Sequence, residues 1–303
     1  LSTEAGRDAL SREIVRLMRD YSVEQTPAEL LQRAALPAEL PASSRVYLTW
    51  VAGSPFDQMR RAAVRLRELG MTPVPHLAAR AIADTATLDR MLADLAREAR
   101  VDHALLIAGS QRTPAGRLDS ALSALTAGRF EHHGWRSLGV AGHPEGSPDI
   151  DTAALASAVR EKSAYARATT LQLHLVTQFC FAGAPVVAWE RQARADGNGL
   201  PVHVGAAGLA SLPTLLRYAR ACGVGASIGT LGRQAGRMLR LASAVQPGEI
   251  VVAVARARLA DPDSRFERMH FFPFGSLDAT VAWADAVARG HFRLSDDETD
   301  LAV

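Results

Sequence analysis

Apolar, β-branched runs alternate with segments of helical period along almost the whole chain. Eight runs read as strands: YSVEQ (21–25), RVYLTWVAG (45–53), TPVPHLAA (72–79), HALLIAG (103–109), SLGVAGH (137–143), LQLHLVTQFCF (171–181), PVHVGAA (201–207) and MHFFPFG (269–275). Between them, QMRRAAVRLRELG, ATLDRMLADLAREAR, TAALASAVREKSAYAR and LPTLLRYARACG space their apolar residues as a helix with one buried face requires. A strand followed by a helix, repeated in this way, predicts a (β/α)8 barrel. The rival, an open doubly wound sheet, calls for a glycine-rich phosphate turn after its first strand, and none follows YSVEQ.

Two stretches fall outside the repeat. LSTEAGRDALSREIVRLMRD is charged and amphipathic and reads as an added N-terminal helix over 1–19. GRQAGRMLRLASAV and PGEIVVAVARARLAD fill the interval between the seventh and eighth strands and read as extra helices before the last strand. No linker or low-complexity tract divides 20–303, which is expected to be one barrel domain. The final RLSDDETDLAV is polar and acidic and is expected to fray.

Composition narrows the function classes. With 303 residues, 48% hydrophobic and 22% charged, the chain can bury a large core. Lys plus Arg total 34 against 32 Asp plus Glu, without a basic block, which argues against a nucleic-acid partner. Cys180 and Cys222 have no metal-ligand spacing, and no stretch resembles a signal or transmembrane segment, so a cytoplasmic protein without a membrane partner is expected. The pair His132-His133 lacks a carboxylate at ligand spacing and reads as an exposed loop, so no metal is expected. Association through the outer helices suits such a barrel, but no feature sets a homo-oligomer's size.

Barrel chemistry sits where strands end, so the polar residues there carry the functional argument. They are Glu24, Thr49, His76, Ser110, His143 and Gln178, with His203 and His270 placed less securely. Gln178 stands in an otherwise apolar run, where an unpaired amide costs about 1–3 kcal/mol. Either neighbouring backbone or a ligand must satisfy it.

In order along the chain, YSVEQTPAE, TPVPHLAARAI, HALLIAGS, VAGHPEGSP, VTQFCF and PVHVGAAGLASLPTL resemble segments of the methylenetetrahydrofolate reductase family. The likeness covers nearly the whole chain. It implies a reaction in which protonation at N10 opens the ring of methylenetetrahydrofolate to an N5 iminium, which accepts a hydride to become methyltetrahydrofolate. By this resemblance Glu24 is the general acid, and a barrel mouth short of water is expected to raise its pKa. Gln178 holds the pterin or the nicotinamide, and Ser110 and Leu212 lie at the folate. Thr49, His76, Gly109, Ser110, His143, Ser147 and Lys162 match cofactor-contact positions.

The pattern also departs from the family. Ser110 stands for an Asp, His143 for a Tyr, Ser147 for a His and Leu212 for a Phe, while Ala158 and Glu161 replace an Asn and an Arg. The resemblance therefore implies NAD(P)H as hydride source and tetrahydrofolate as one-carbon carrier by two routes. In one, FAD is bound in an altered pocket and mediates. In the other, hydride passes directly. Retained Thr49, His76 and Lys162 tilt the reading to FAD. A folate-binding or regulatory barrel without catalysis, serving a methyltransferase system, is the alternative. Arg233, Arg237 and Arg240 align along one helical side, either as a solvated face or beside a ligand's anionic tail.

Overall fold

The computed structural model describes residues 3–221 and 245–303. Eight parallel strands close into a barrel in chain order, with the eighth pairing back to the first. They are β1 (Ser22–Gln25), β2 (Arg45–Leu48), β3 (Thr72–Ala78), β4 (His103–Ile107), β5 (Ser137–Gly142), β6 (Gln172–Thr177), β7 (Val202–Ala207) and β8 (Phe266–Phe272). The helices are α1 (Glu4–Met18), α2 (Pro27–Gln32), α3 (Phe56–Glu68), α4 (Thr85–Ala99), α5 (Ala121–Thr126), α6 (Arg129–His132), α7 (Thr152–Ala166), α8 (Gly183–Ala195), α9 (Leu212–Ala221), α10 (Gly248–Ala260) and α11 (Leu277–Ala288). The structure is thus a (β/α)8 barrel with the expected N-terminal helix and an extra helix, α10, before the last strand.

The helix starts follow local chemistry. Thr3, Asp84, Asp151 and Ser276 accept a backbone N–H at the first turns of α1, α4, α7 and α11, and Ser120 with Ser123 forms a capping box on α5. Helix α8 has no cap of its own. Glu249, in the first turn of α10, supplies one by accepting from Gly183 N at 2.8 Å. The two helices approach so closely there that a Cβ on Gly183 would lie 2.2 Å from that of Ala253. Helix α1 buries Leu10, Ile14, Leu17 and Met18 against α10, α11 and β8.

The core has three parts. Most apolar side chains lie between barrel and helices. Tyr47, Val74, Leu105 and Val176 fill the barrel interior. A third cluster, built on Phe179, Phe181, Ala207 and Leu215, lies where β6 and β7 end.

Several expected boundaries differ. The sixth strand ends at Thr177, not 181, because Thr177 Oγ1 takes the N–H of Gly205 at 2.8 Å in place of a ladder bond. A Cβ on Gly205 would come within 2.4 Å of Thr177 O, so the two backbones touch only because that residue is glycine. The last strand begins at Phe266, three residues earlier than expected. His132 and His133 lie in and just after the short helix α6 rather than in a loop, and His133 Nε2 meets Asp89 at 3.0 Å. The tail does not fray: β9 (Arg293–Leu294) and β10 (Leu301–Ala302) pair antiparallel, Leu294 and Leu301 are buried, and Arg7 bonds Leu294 O at 2.8 Å. Cys222 and the three arginines of GRQAGRMLRL lie outside the described residues.

Candidate active site

Glu24 is the third residue of β1 and only 8% exposed. Its Oε1 accepts from Thr49 Oγ1 at 2.6 Å, just past the end of β2. Its Oε2 lies 3.3 Å from His270 Nε2 on β8 and 3.3 Å from His76 Nε2 on β3. The register that sets Ser22 beside His270 brings Ser22 Oγ within 2.9 Å of His270 Nδ1. Because an ionised carboxylate only accepts, Nε2 of a neutral His270 carries the proton and Ser22 donates to Nδ1. A chain of donors thus runs from Ser22 through His270 to Glu24. The nitrogen of His76 lies at charge-contact distance but off the direction of a hydrogen bond, and stays buried without a partner.

This arrangement reverses one expectation. Burial alone raises the Glu24 pKa, as the sequence reading supposed. The charge of His76 and the hydrogen bond and charge of His270 outweigh it and hold the carboxyl well below the ordinary carboxylate range. Glu24 is ionised and flanked by the imidazoles of His76 and His270. His270 itself is pushed down, by burial first, which agrees with its neutral form. Thr26 caps α2, its hydroxyl accepting from Glu29 N.

The remaining positions divide into two groups. Gln178 lies one residue beyond β6, half-buried. Its backbone N–H bonds Gly142 O at 2.8 Å, while its side-chain amide makes no hydrogen bond among the described residues. Beside it stands an aromatic wall: Phe179 packs on Phe181, Phe272 and Phe274, with Leu212 against the same cluster. Gln178, Leu212 and Glu24 therefore share the half of the mouth formed by β6, β7, β8 and β1.

The other half holds Gly109, Ser110, His143, Ser147 and Lys162. Ser110 is exposed and bonded to nothing among the described residues. Gly109 has φ +93, and a Cβ there would meet Gln111 Oε1 at 2.7 Å. Burial, then the charge of Lys162, pushes His143 down to about 4. Lys162 is 7% exposed, bonds Ala141 O at 3.4 Å and is pushed down to about 8 by burial. Ser147 Oγ accepts from Asp149 N at 3.4 Å. The loop joining β5 to α7 carries Glu145, Asp149 and Asp151, and Glu161 on α7 is exposed and bonded to Ser157.

His203 does not belong to this mouth. It is the second residue of β7, at the opposite end of the barrel, stacked on His174 at 4.1 Å and 3.3 Å from Glu267. Ser22 is the functional side chain that strand ends did not point to. Its signal was the period of two that puts it on the same strand face as Glu24.

No family model matches the chain. Among solved structures, a chitinase from Rhizomucor miehei covers 89% of this chain and 99% of its own at 9% identity, with a TM-score of 0.46. Likeness at that level carries no functional information. Among the described residues no helix is long and apolar enough to cross a membrane.

Proposed function

We propose that the chain is a methylenetetrahydrofolate reductase-type enzyme that passes hydride between a nicotinamide dinucleotide and a folate-bound one-carbon unit. The observation that carries this reading is the placement of Glu24: a buried carboxyl group at the barrel mouth, held by Thr49 and by the chain from Ser22 through His270. The Gln178 amide, which bonds nothing among the described residues, and the half-buried rings of Phe272 and Phe274 lie on the same half of the mouth. An amide with free donor and acceptor matches the edge of a pterin.

A resident flavin dinucleotide fits these residues poorly. Thr49 and His76 are directed at Glu24, Lys162 is sealed under the end of β5, and Glu145, Asp149 and Asp151 would oppose its phosphates. In reduction, N10 takes a proton and its bond to the methylene carbon breaks, leaving the N5 iminium. The C–H bond at C4 of the dihydronicotinamide then breaks as a C–H bond forms at that carbon, giving the N5-methyl group and oxidised nicotinamide. Glu24, in the small fraction that has taken a proton from solvent, passes it to N10, and the carboxylate left behind faces the iminium. In this way it supplies the negative charge that Ser110 cannot.

Absorbance from 300 to 550 nm, followed by NADH oxidation with methylenetetrahydrofolate, tests the proposal. A colourless protein that oxidises NADH only when the folate is present supports it. Absence of turnover in both directions, with folate still bound, favours the non-catalytic folate-binding barrel instead. One observation favours that second reading: a carboxyl held ionised is a weak proton donor.

A further inference from the structure

We infer that Arg112 and Arg117, in the loop between β4 and α5, form the subsite for the diphosphate of the nicotinamide dinucleotide. This rests on the reductase reading and adds to it the place and chemistry of the second substrate.

Direct transfer requires both substrates at the mouth together, the nicotinamide face to face with the pterin. Gln178, Leu212 and Glu24 place the folate over β6, β7, β8 and β1. The rim over β3, β4 and β5 remains for the dinucleotide, and charge divides that rim in two. On the β5 side stand Glu145, Asp149 and Asp151, with Lys162 buried beneath them. On the β4 side Arg112 and Arg117 are exposed, and neither makes a hydrogen bond or ion pair among the described residues. Arg80, the next cation along, is engaged: its Nε donates to Asp119 O at 2.7 Å.

The loop that carries the two arginines is fastened, so they project from a defined base. Ala115 N bonds Arg80 O at 2.8 Å, and Arg80 N bonds Ala108 O at 2.9 Å. Gly116 lies directly on Ala83, where a Cβ would fall 1.7 Å from the carbonyl oxygen. A glycine alone permits that contact. Five residues apart on this anchored loop, two guanidinium groups present forked donors that match phosphate oxygens in pairs. A diphosphate on the neighbouring β5 loop would meet like charge.

The test titrates NADH against the full chain by fluorescence, for wild type, for Arg112→Ala/Arg117→Ala and for Arg191→Ala, an exposed arginine on α8 serving as control. The double variant is expected to weaken NADH binding about tenfold or more and to flatten its salt dependence, in line with lost charge-assisted contacts. Its affinity for methylenetetrahydrofolate, its melting temperature and its binding of reduced nicotinamide mononucleotide, which lacks the diphosphate, are expected to match wild type. Unchanged NADH affinity in the double variant overturns the subsite. So does a loss that falls on the folate, which would assign the arginines to its glutamate tail. Wild type that binds neither NADH nor folate removes the reductase reading, and this inference with it.

Discussion

At the scale of single residues, the chemistry turns on how one carboxyl is surrounded. Burial alone would make Glu24 a stored acid, and that is as far as the sequence could be read. It offered His270 as a strand-end candidate but not as a neighbour of Glu24, since His270 lies 246 positions away and reaches Glu24 only through the register of β8 on β1. With its pKa held low, only a small fraction of Glu24 is protonated near neutrality. The second-order rate constant for reduction is therefore expected to fall about tenfold per unit rise in pH, while that for oxidation stays flat. Initial rates in both directions between pH 5.5 and 8.5 check this, and a plateau in the reductive profile below pH 7 would show a raised pKa instead. Glu24→Gln is expected to lose at least about a hundredfold in both directions. Gln178 poses the complementary case. Its amide bonds no group among the described residues, so Gln178→Met should leave stability within about 0.5 kcal/mol. It should weaken folate binding by about 1 kcal/mol, roughly fivefold. A calorimetric titration beside a urea unfolding curve separates the two effects, and loss of stability with unchanged folate affinity would return Gln178 to a purely structural role.

Among elements, α8 and α10 show where pattern reading stops. Apolar spacing located α10, while the sequence offered no start signal for α8, whose preceding Ala182 has no side-chain oxygen. The cap is Glu249, 66 positions along the chain from the Gly183 N–H that it accepts. Long-range caps of this kind leave no local trace. Burial raises the pKa of Glu249, with the charge of Asp300 adding to it and the Gly183 N–H pulling it down. Glu249→Ala is expected to cost about 1 kcal/mol, as loss of a cap does. Gly183→Ala should cost more, about 1–3 kcal/mol, because its methyl would overlap Ala253. Urea unfolding midpoints rank the two, and a Gly183→Ala protein as stable as wild type would disprove the close approach. The strand ends carry the same lesson. The apolar run through 181 looked continuous, but the hydroxyl of Thr177 and the missing side chain of Gly205 end the ladder four residues sooner.

For the whole molecule, the barrel was legible because eight strand and helix periods alternate, whereas the polarity of its interior was not. His174, His203 and His270 all lie within the strands, and no periodicity separates an inward histidine from an outward one until the barrel is closed. Their joint effect is on stability. Burial first, then neighbouring positive charge from Arg268 and other groups, pushes His174 well down; burial brings His203 to about 4 despite the opposing pull of Glu267. A base whose folded pKa is depressed binds fewer protons than the unfolded chain once pH drops below the unfolded value, about 6.5. Stability is therefore expected to fall from about pH 6.5 toward pH 4, by up to about 3 kcal/mol for His203 alone. Glu24 adds a second loss in the same direction. Its depressed pKa stabilises the fold above the unfolded value of about 4.3 and ceases to do so as pH falls through the folded one. The two losses occupy successive windows, histidines first. Urea midpoints at pH 7, 6, 5 and 4.5 should descend through the first window, and His203→Asn should make that descent shallower while leaving the slope below pH 4.5 alone. Midpoints that hold level from pH 7 to 5 would mean that the interior histidines take up protons in the folded barrel, with Glu267 able to hold the charge that burial opposes.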